Sequence, residues 1–468
     1  MLLLALPLVF LRSACGQEIA PRLLQEDFQI MRRALEESHG GLYRYTRKPE
    51  MDRTFDHAYK TIDHPMTGLQ FRALVAPVIA QIKDGHLFTL WPTNVPVDQV
   101  LLFPLSVRVL NQRVFVYRDF STSDHRLEGA ELLSINDVPI KRILQKMSTA
   151  VTGEGSSKSA VPYRIGNYDW FKTELYGLLG IKSPFRVLFR NTRGKQIVEL
   201  RGKTFPELDA DWTARDPKPS VTSDLKFLHD GKIAVLTIRS FEEYVDPGQK
   251  LTIHDFLQRS FEQIREKQSV SLIIDVRDNS GGLDAPGAQL FSYLWDQPFE
   301  YYKDKVMNAR EFEFFKYAPE AQRVPADRVQ KGADGKFHFK RGAGLGLQQP
   351  SQPHFGGKVF ALMNGGSFST TCEFLSMLPL HKRGVLIGEE AAGGYFGSTC
   401  GFRVNLILPN SKVRLPLGMV TYYYAGADYS HASRGMMPDY PATHTISDLL
   451  AGRDKEMELA ISLARAKQ

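Results

Sequence analysis

From Lys226 onward, short runs of nearly unbroken apolar residues alternate with amphipathic stretches, and this rhythm limits the fold more than any other feature of the chain. The runs read KIAVLTI, SLIIDVR, KVFALMN and GVLIGEE, with helical patterns around 251 to 267, after 283 and after 369. A strand that is apolar on both sides is covered on both faces, so the pattern predicts a layered α/β domain. Functional groups in such domains gather at the carboxyl ends of the strands. FRVNLIL and VRLPLGM read as two further strands.

Two strand ends carry unusual residues. SLIIDVR runs into Asn279, Ser280, Gly281 and Gly282. A glycine pair lets the backbone turn its N–H groups outward, as an anion or oxyanion site requires, although such pairs also serve ordinary turns. KVFALMN runs into Gly365 and Gly366, and Ser369 stands directly before a helix read as Thr370 to Met377. A serine there either caps the helix or acts as an acyl-transfer nucleophile. In the second role the helix N-terminus and the free N–H of Thr370 stabilise negative charge beside its hydroxyl.

A serine hydroxyl needs a base. The loop GEEAAGGYFGSTCG holds no lysine, whereas DGHLFT presents His86 at a constrained junction. The segment before it predicts a helix opened by a Thr67/Gln70 capping box, with apolar residues Phe71, Leu74, Val78 and Ile82 and a kink at Pro77. Gly85 is placed as its left-handed stop, with a strand from His86 onward. His39, in ESHGGLYRY, is the rival histidine.

The remaining segments define the organisation. Leu2 to Leu11 is an apolar run followed by small residues, too short to span a bilayer, and residues 1–16 are read as a signal peptide cleaved after Gly16. A lipid anchor on Cys15 fits less well, because Arg12 occupies the position where an aliphatic residue is wanted. Residues 20–95 form a helical cap. From Leu101 the pattern changes to alternating strands, and LEGAELLSINDVPIKRILQKM turns at Asn136-Asp137 into a helix. VTGEGSSKSA is a loop, FRVLFRNTRGKQIVELRG a hairpin, and ELDADWTARDPKPS a linker.

Composition excludes several classes. The chain has 59 basic against 52 acidic side chains, a net charge of +7 and a pI near 9.0, without a run of like charges, which is no nucleic-acid footprint. Cys15, Cys372 and Cys400 have neither the number of a disulfide framework nor the spacing of a zinc site, so no metal is expected. No later stretch approaches the roughly 18 apolar residues of a membrane span.

Taken in order, HGGLYRY, KDGHLFTLW, LEGAELLSINDV, LIIDVRDNSGG, NGGSFSTTCEF, GEEAAGGYFGSTCG and RGMMPDYP resemble the C-terminal processing and tricorn-core serine peptidases. The resemblance implies an α/β multidomain chain: a Clp/crotonase-like ββα core over 222–468, the helical cap, and a PDZ-like β-rich module over 100–205. It implies Ser369 as nucleophile, and Gly281 or Gly282 with the N–H of Thr370 as the oxyanion hole. Processing peptidases of the Ser/Lys type carry a lysine soon after a Gly-Glu turn, where this chain has Gly394 and Tyr395. The resemblance therefore runs to the histidine-dependent branch, with His86 as general base. Asp428 is the first choice for the orienting carboxylate, by its distance downstream of the serine, with Glu389, Glu390 and Glu373 as rivals. The reaction implied is hydrolysis of an extended or unfolded polypeptide in the periplasm or outside the cell, with no cofactor. Two other readings stand beside it, a catalytically silent peptide-binding protein on the same fold and a crotonase-like acyl-CoA enzyme.

Overall fold

The computed structural model describes residues 16–167, 170–216, 221–246, 248, 250–425 and 433–466. The expected leader, Cys15 and Asp428 lie outside the described residues.

The apolar runs pair as their composition predicts. The central sheet is ordered Tyr440–Pro441, Val385–Gly388, Lys358–Met363, Ser271–Asp275, Ile233–Ile238 and Ser223–Leu228 among the described residues. All neighbours are parallel except the last pair. Helices Ile253–Glu266, Asp284–Ser292 and Thr370–Leu380 follow successive strands. Side chains on one face, such as Ile273, Phe360 and Ile387, pack beneath the C-terminal helix Lys455–Arg465. Those on the other, such as Leu272, Ile274 and Ala361, join the larger core.

A second, antiparallel sheet is ordered Val329–Lys331, Phe337–Phe339, Tyr302–Met307, Val420–Tyr424 and Gly397–Gly401. Helices Pro21–Ser38, Lys48–Lys60 and Gly68–Ala80 bury Leu24, Phe28, Phe55 and Phe71 in the same core as the central sheet. The β-rich segment has a core of its own. Its antiparallel sheet runs Leu105–Leu110, Arg113–Asp119, Glu131–Ile135, Phe185–Asn191 and Gly194–Leu200, under helix Ile140–Ser148. Asn136 and Asp137 both take left-handed φ at its turn, and Cys372 and Cys400 are free thiols.

Three local expectations are corrected. The Thr67/Gln70 capping box is present, but the left-handed residue after that helix is Lys83 (φ 61°), not Gly85. Gly85 is needed for a different reason: a Cβ there would come 2.7 Å from the Phe368 ring. The residues after His86 form no strand beyond a bridge from Leu90 to Arg414, since Thr89 and Gly85 offer their carbonyls to the side chains of Arg72 and Arg164 instead. Finally, most of the expected linker is helix Phe205–Arg215, opened by a capping box of Thr204 and Glu207.

Candidate active site

Strands Ser271–Asp275 and Lys358–Met363 are adjacent and parallel, so their carboxyl ends leave the sheet side by side. Polar groups stitch the two turns together. Phe368 N–H and the Thr371 hydroxyl both donate to Asn279 O (3.0 and 2.9 Å), and Ser367 donates to Val276 O (2.8 Å). Gly281, at φ +102°, lies so close to the serine that a Cβ would come 2.6 Å from Ser369 Cβ.

Ser369 itself has φ 55° and ψ −128°, and its side chain accepts no capping hydrogen bond. The helix-cap role is therefore not the one it fills. Positive φ in a residue with a side chain is costly and concentrates at functional sites. A sharp strand-to-helix turn of this kind thrusts the hydroxyl out of the backbone.

The hydroxyl faces histidine: Ser369 Oγ lies 3.1 Å from His86 Nε2. The imidazole is buried and lies over Phe368, with ring centroids 4.3 Å apart. Burial pushes it down to about 3, the Asp84 charge opposing and those of Arg403 and Arg164 adding to the fall. A group in that state is neutral at physiological pH, with Nε2 able to accept a proton.

Behind His86 lies a buried polar cluster. Asp84 Oδ1 accepts the backbone N–H of His86 at 2.7 Å and stands 3.8 Å from its Nδ1. Asp84 Oδ2 lies 3.1 Å from Nε2 of His39, off the line of a hydrogen bond. Burial works against ionisation of Asp84, but His39 and then His86 outweigh it and hold the carboxyl low. Glu154 accepts the N–H of Gly85 at 2.8 Å and the hydroxyl of Tyr45 at 2.9 Å. Burial, reinforced by the Asp84 charge, pushes Glu154 up.

Residues 232–441 match the sequence profile of Peptidase family S41. That span of the chain belongs to peptidase family S41. That family consists of serine peptidases, so this S41 protein is a hydrolase by membership. The matched span holds Ser369, Thr370 and the glycine pair, whereas His86 precedes it. The solved structure of mature CPAF is similar over 95% of this chain and 97% of its own, at 14% identity and a TM-score of 0.65. Its complex with lactacystin gives 95%, 98%, 14% and 0.66. A putative peptidase from Parabacteroides merdae aligns over 96% and 98%, with 16% identity and a TM-score of 0.51. At such identities the likeness concerns the fold. No curated protein sequence matches significantly.

Gly281, Gly282 and Ser369 line one cleft of about 540 Å³ with His86. The N–H of Gly281 is taken by Asn279 Oδ1 at 2.8 Å, while those of Gly282 and Thr370 donate no hydrogen bond among the described residues. None of the rival carboxylates reaches His86. Glu373 accepts from the Tyr302 hydroxyl, and Glu390 pairs with Arg434 at 2.8 Å. Glu389 lines a different cavity, beside Asp278 and His444. His39 stands behind Asp84 rather than next to the serine.

Sequence reasoning missed Glu154, Phe368 and Arg403. Glu154 lies in a Gly/Ser-rich loop that carries no chemical signal of its own. Asp84, His86 and Glu154 offer ligand atoms within 4.8 Å of one another; Asp84 Oδ1 accepts from the His86 N–H and the Glu154 oxygens from Gly85 and Tyr45, while Asp84 Oδ2 has no hydrogen-bond partner among the described residues. In the trio His444, Asp454 and Glu456 the carboxylates already hold the guanidinium of Arg277. No helix among the described residues is long and apolar enough to cross a membrane.

Proposed function

We propose that the chain is an exported endopeptidase that hydrolyses extended or unfolded polypeptides through an acyl-enzyme on Ser369, with His86 as general base. The observation that carries this reading is the strained, uncapped Ser369 with its hydroxyl 3.1 Å from His86 Nε2. Ser369 Oγ attacks the scissile carbonyl carbon as its proton passes to Nε2. The tetrahedral intermediate collapses, the C–N bond breaks, and the leaving amine takes the proton from His86. Water, deprotonated by the same imidazole, then releases the acyl group. The negative oxygen is held by the N–H groups of Gly282 and Thr370, which have no other partner among the described residues, with the helix N-terminus adding to the field. Gly281 serves by close approach, since any side chain there would strike Ser369.

On this reading the parallel sheet and its helices over 222–468 are a Clp/crotonase-like core, 20–95 is the cap that brings His86, and 100–205 is a PDZ-like module. Residues 1–16 are an export signal, directing the chain to the periplasm or outside the cell. Two carboxylates compete to orient His86 Nδ1: Asp84, already 3.8 Å away, and Asp428.

Labelling with a fluorophosphonate, followed by hydrolysis of an unfolded protein, tests the proposal. The wild type labels, and Ser369→Ala and His86→Ala do not. Of Asp84→Asn and Asp428→Asn, the one that removes the orienting group slows labelling by about 10³–10⁴-fold. Labelling that persists in Ser369→Ala places the nucleophile elsewhere, and an unreactive folded wild type leaves a silent peptide-binding protein; either result overturns the proposal.

A further inference from the structure

Charge in the Ser369 cleft is unevenly neutralised. Of the ionisable side chains lining it, Arg164 spends its guanidinium on the carbonyls of Gly85 and Thr152 (2.8 and 2.9 Å). Asp284 is neutralised by Lys305 Nζ at 2.6 Å. Two free charges remain among the described residues, Glu242 and Arg403. Glu242 adjoins the bridge from Phe241 to Gly282, on the wall that carries the glycine pair.

Arg403 is exposed and lines the same cleft, with no hydrogen bond, ion pair or ring contact among the described residues. Its position is built rather than incidental. It sits in the turn between strands Gly397–Gly401 and Val404–Ile407. The preceding Phe402 is forced to φ 45°, a conformation rare for an aromatic residue and maintained only where the surroundings impose it. A Cβ at Gly401 would come 2.6 Å from the Tyr422 hydroxyl, so the chain passes over that tyrosine only as glycine. Phe402 is thereby directed against Phe339, with ring centroids 5.7 Å apart, and Arg403 is left at the cleft. Its field is felt at His86, where it is the strongest of the neighbouring positive charges. Beyond it a chamber of about 370 Å³ shares Asp284 and Tyr422 with the cleft and adds Arg341.

A planar, permanently charged guanidinium with no internal partner is suited to a carboxylate, which it binds through paired N–H donors. We propose that Arg403 binds a carboxylate of the polypeptide substrate and makes the cleft selective for chains with an acidic group close to the scissile bond. The inference rests on Ser369 being the reactive centre of that cleft. The carboxylate comes from an aspartate or glutamate side chain or from the chain's own C-terminus.

The test uses binding, so that it stands whether or not hydrolysis is seen. Fluorescent peptides that differ by Glu against Gln, each C-terminally amidated, and a Gln peptide as free acid against amide, are titrated onto the Ser369→Ala protein. One of the two carboxylate peptides is expected to bind about tenfold or more tightly than its neutral partner. Which one does so identifies the source. The ratio collapses towards 1 in Ser369→Ala/Arg403→Gln, inverts against a Lys peptide in Ser369→Ala/Arg403→Glu, and is retained with lysine at 403. Ratios near 1 in the parent protein, or a preference that survives Arg403→Gln, overturn the inference. Failure of the wild type to label with fluorophosphonate, by contrast, counts only against the peptidase reading.

Discussion

Ser369 holds a backbone geometry that costs a residue with a side chain roughly 1–3 kcal/mol, and the bonds from Phe368 and Thr371 to Asn279 are what impose it. Its partner is perturbed by burial instead. An imidazole in the unfolded chain has its ordinary value of about 6.5, and burial pushes His86 in the folded chain down to about 3. Between these values the unfolded chain binds the proton and the folded chain does not, so His86 makes stability fall as pH drops through that window. The base stays neutral over the same range. The rate of fluorophosphonate inactivation is therefore expected to show no acid limb at about pH 6.5, the loss falling well below it. A limb centred on the ordinary histidine value, absent when the same profile is taken for a small-molecule control, would mean that water reaches the imidazole and that burial does not set its state.

At the scale of elements, the short segment Lys83–His86 is fixed from outside itself. Gly155 N–H donates to Lys83 O at 2.8 Å, Glu154 takes the N–H of Gly85, and Arg164 its carbonyl. All three partners lie in or just after the loop that follows helix Ile140–Ser148. This explains what sequence could and could not show. Strand runs such as SLIIDVR are legible because their neighbours are implied by their own composition. Ser369 read alone is equally a helix cap, and its left-handed φ and the histidine beside its hydroxyl are not written in the local sequence. The support of His86 is written in Glu154 and Phe368, remote in the chain and unmarked by any period. The helix Phe205–Arg215 was announced by its capping box yet obscured by acidic residues and prolines typical of a linker. Gly85→Ala tests the segment directly. The added methyl displaces the Phe368 ring on which His86 lies, and labelling is expected to slow by about 10²-fold, the effect of an ångström-scale misplacement. An unchanged rate would show that Phe368 yields without moving the histidine.

At the scale of the whole molecule, the two reactive groups come from regions that share one core, while a third region has a core of its own. Helices 21–38, 48–60 and 68–80 share one apolar core with the central sheet, so the residues before His86 are not a detachable cap. The β-rich segment has a separate core around Leu132, Ile143 and Phe185, yet its loop reaches the histidine segment through Gly155 and Glu154 and the Ser369 side of the molecule through Lys158 N–H, which donates to Glu390 at 3.0 Å. A unit with its own core that also clamps the histidine segment couples its stability to reactivity. Ile143→Ala removes buried apolar volume there and is expected to lower that unit's stability by about 2–5 kcal/mol, leaving the central sheet intact. Labelling of Ser369 measured against temperature then falls with the melting of residues 105–200, followed by hydrogen exchange, and ahead of strand Ser271–Asp275. Labelling that continues until the central strand itself exchanges would show that the site stands without the clamp.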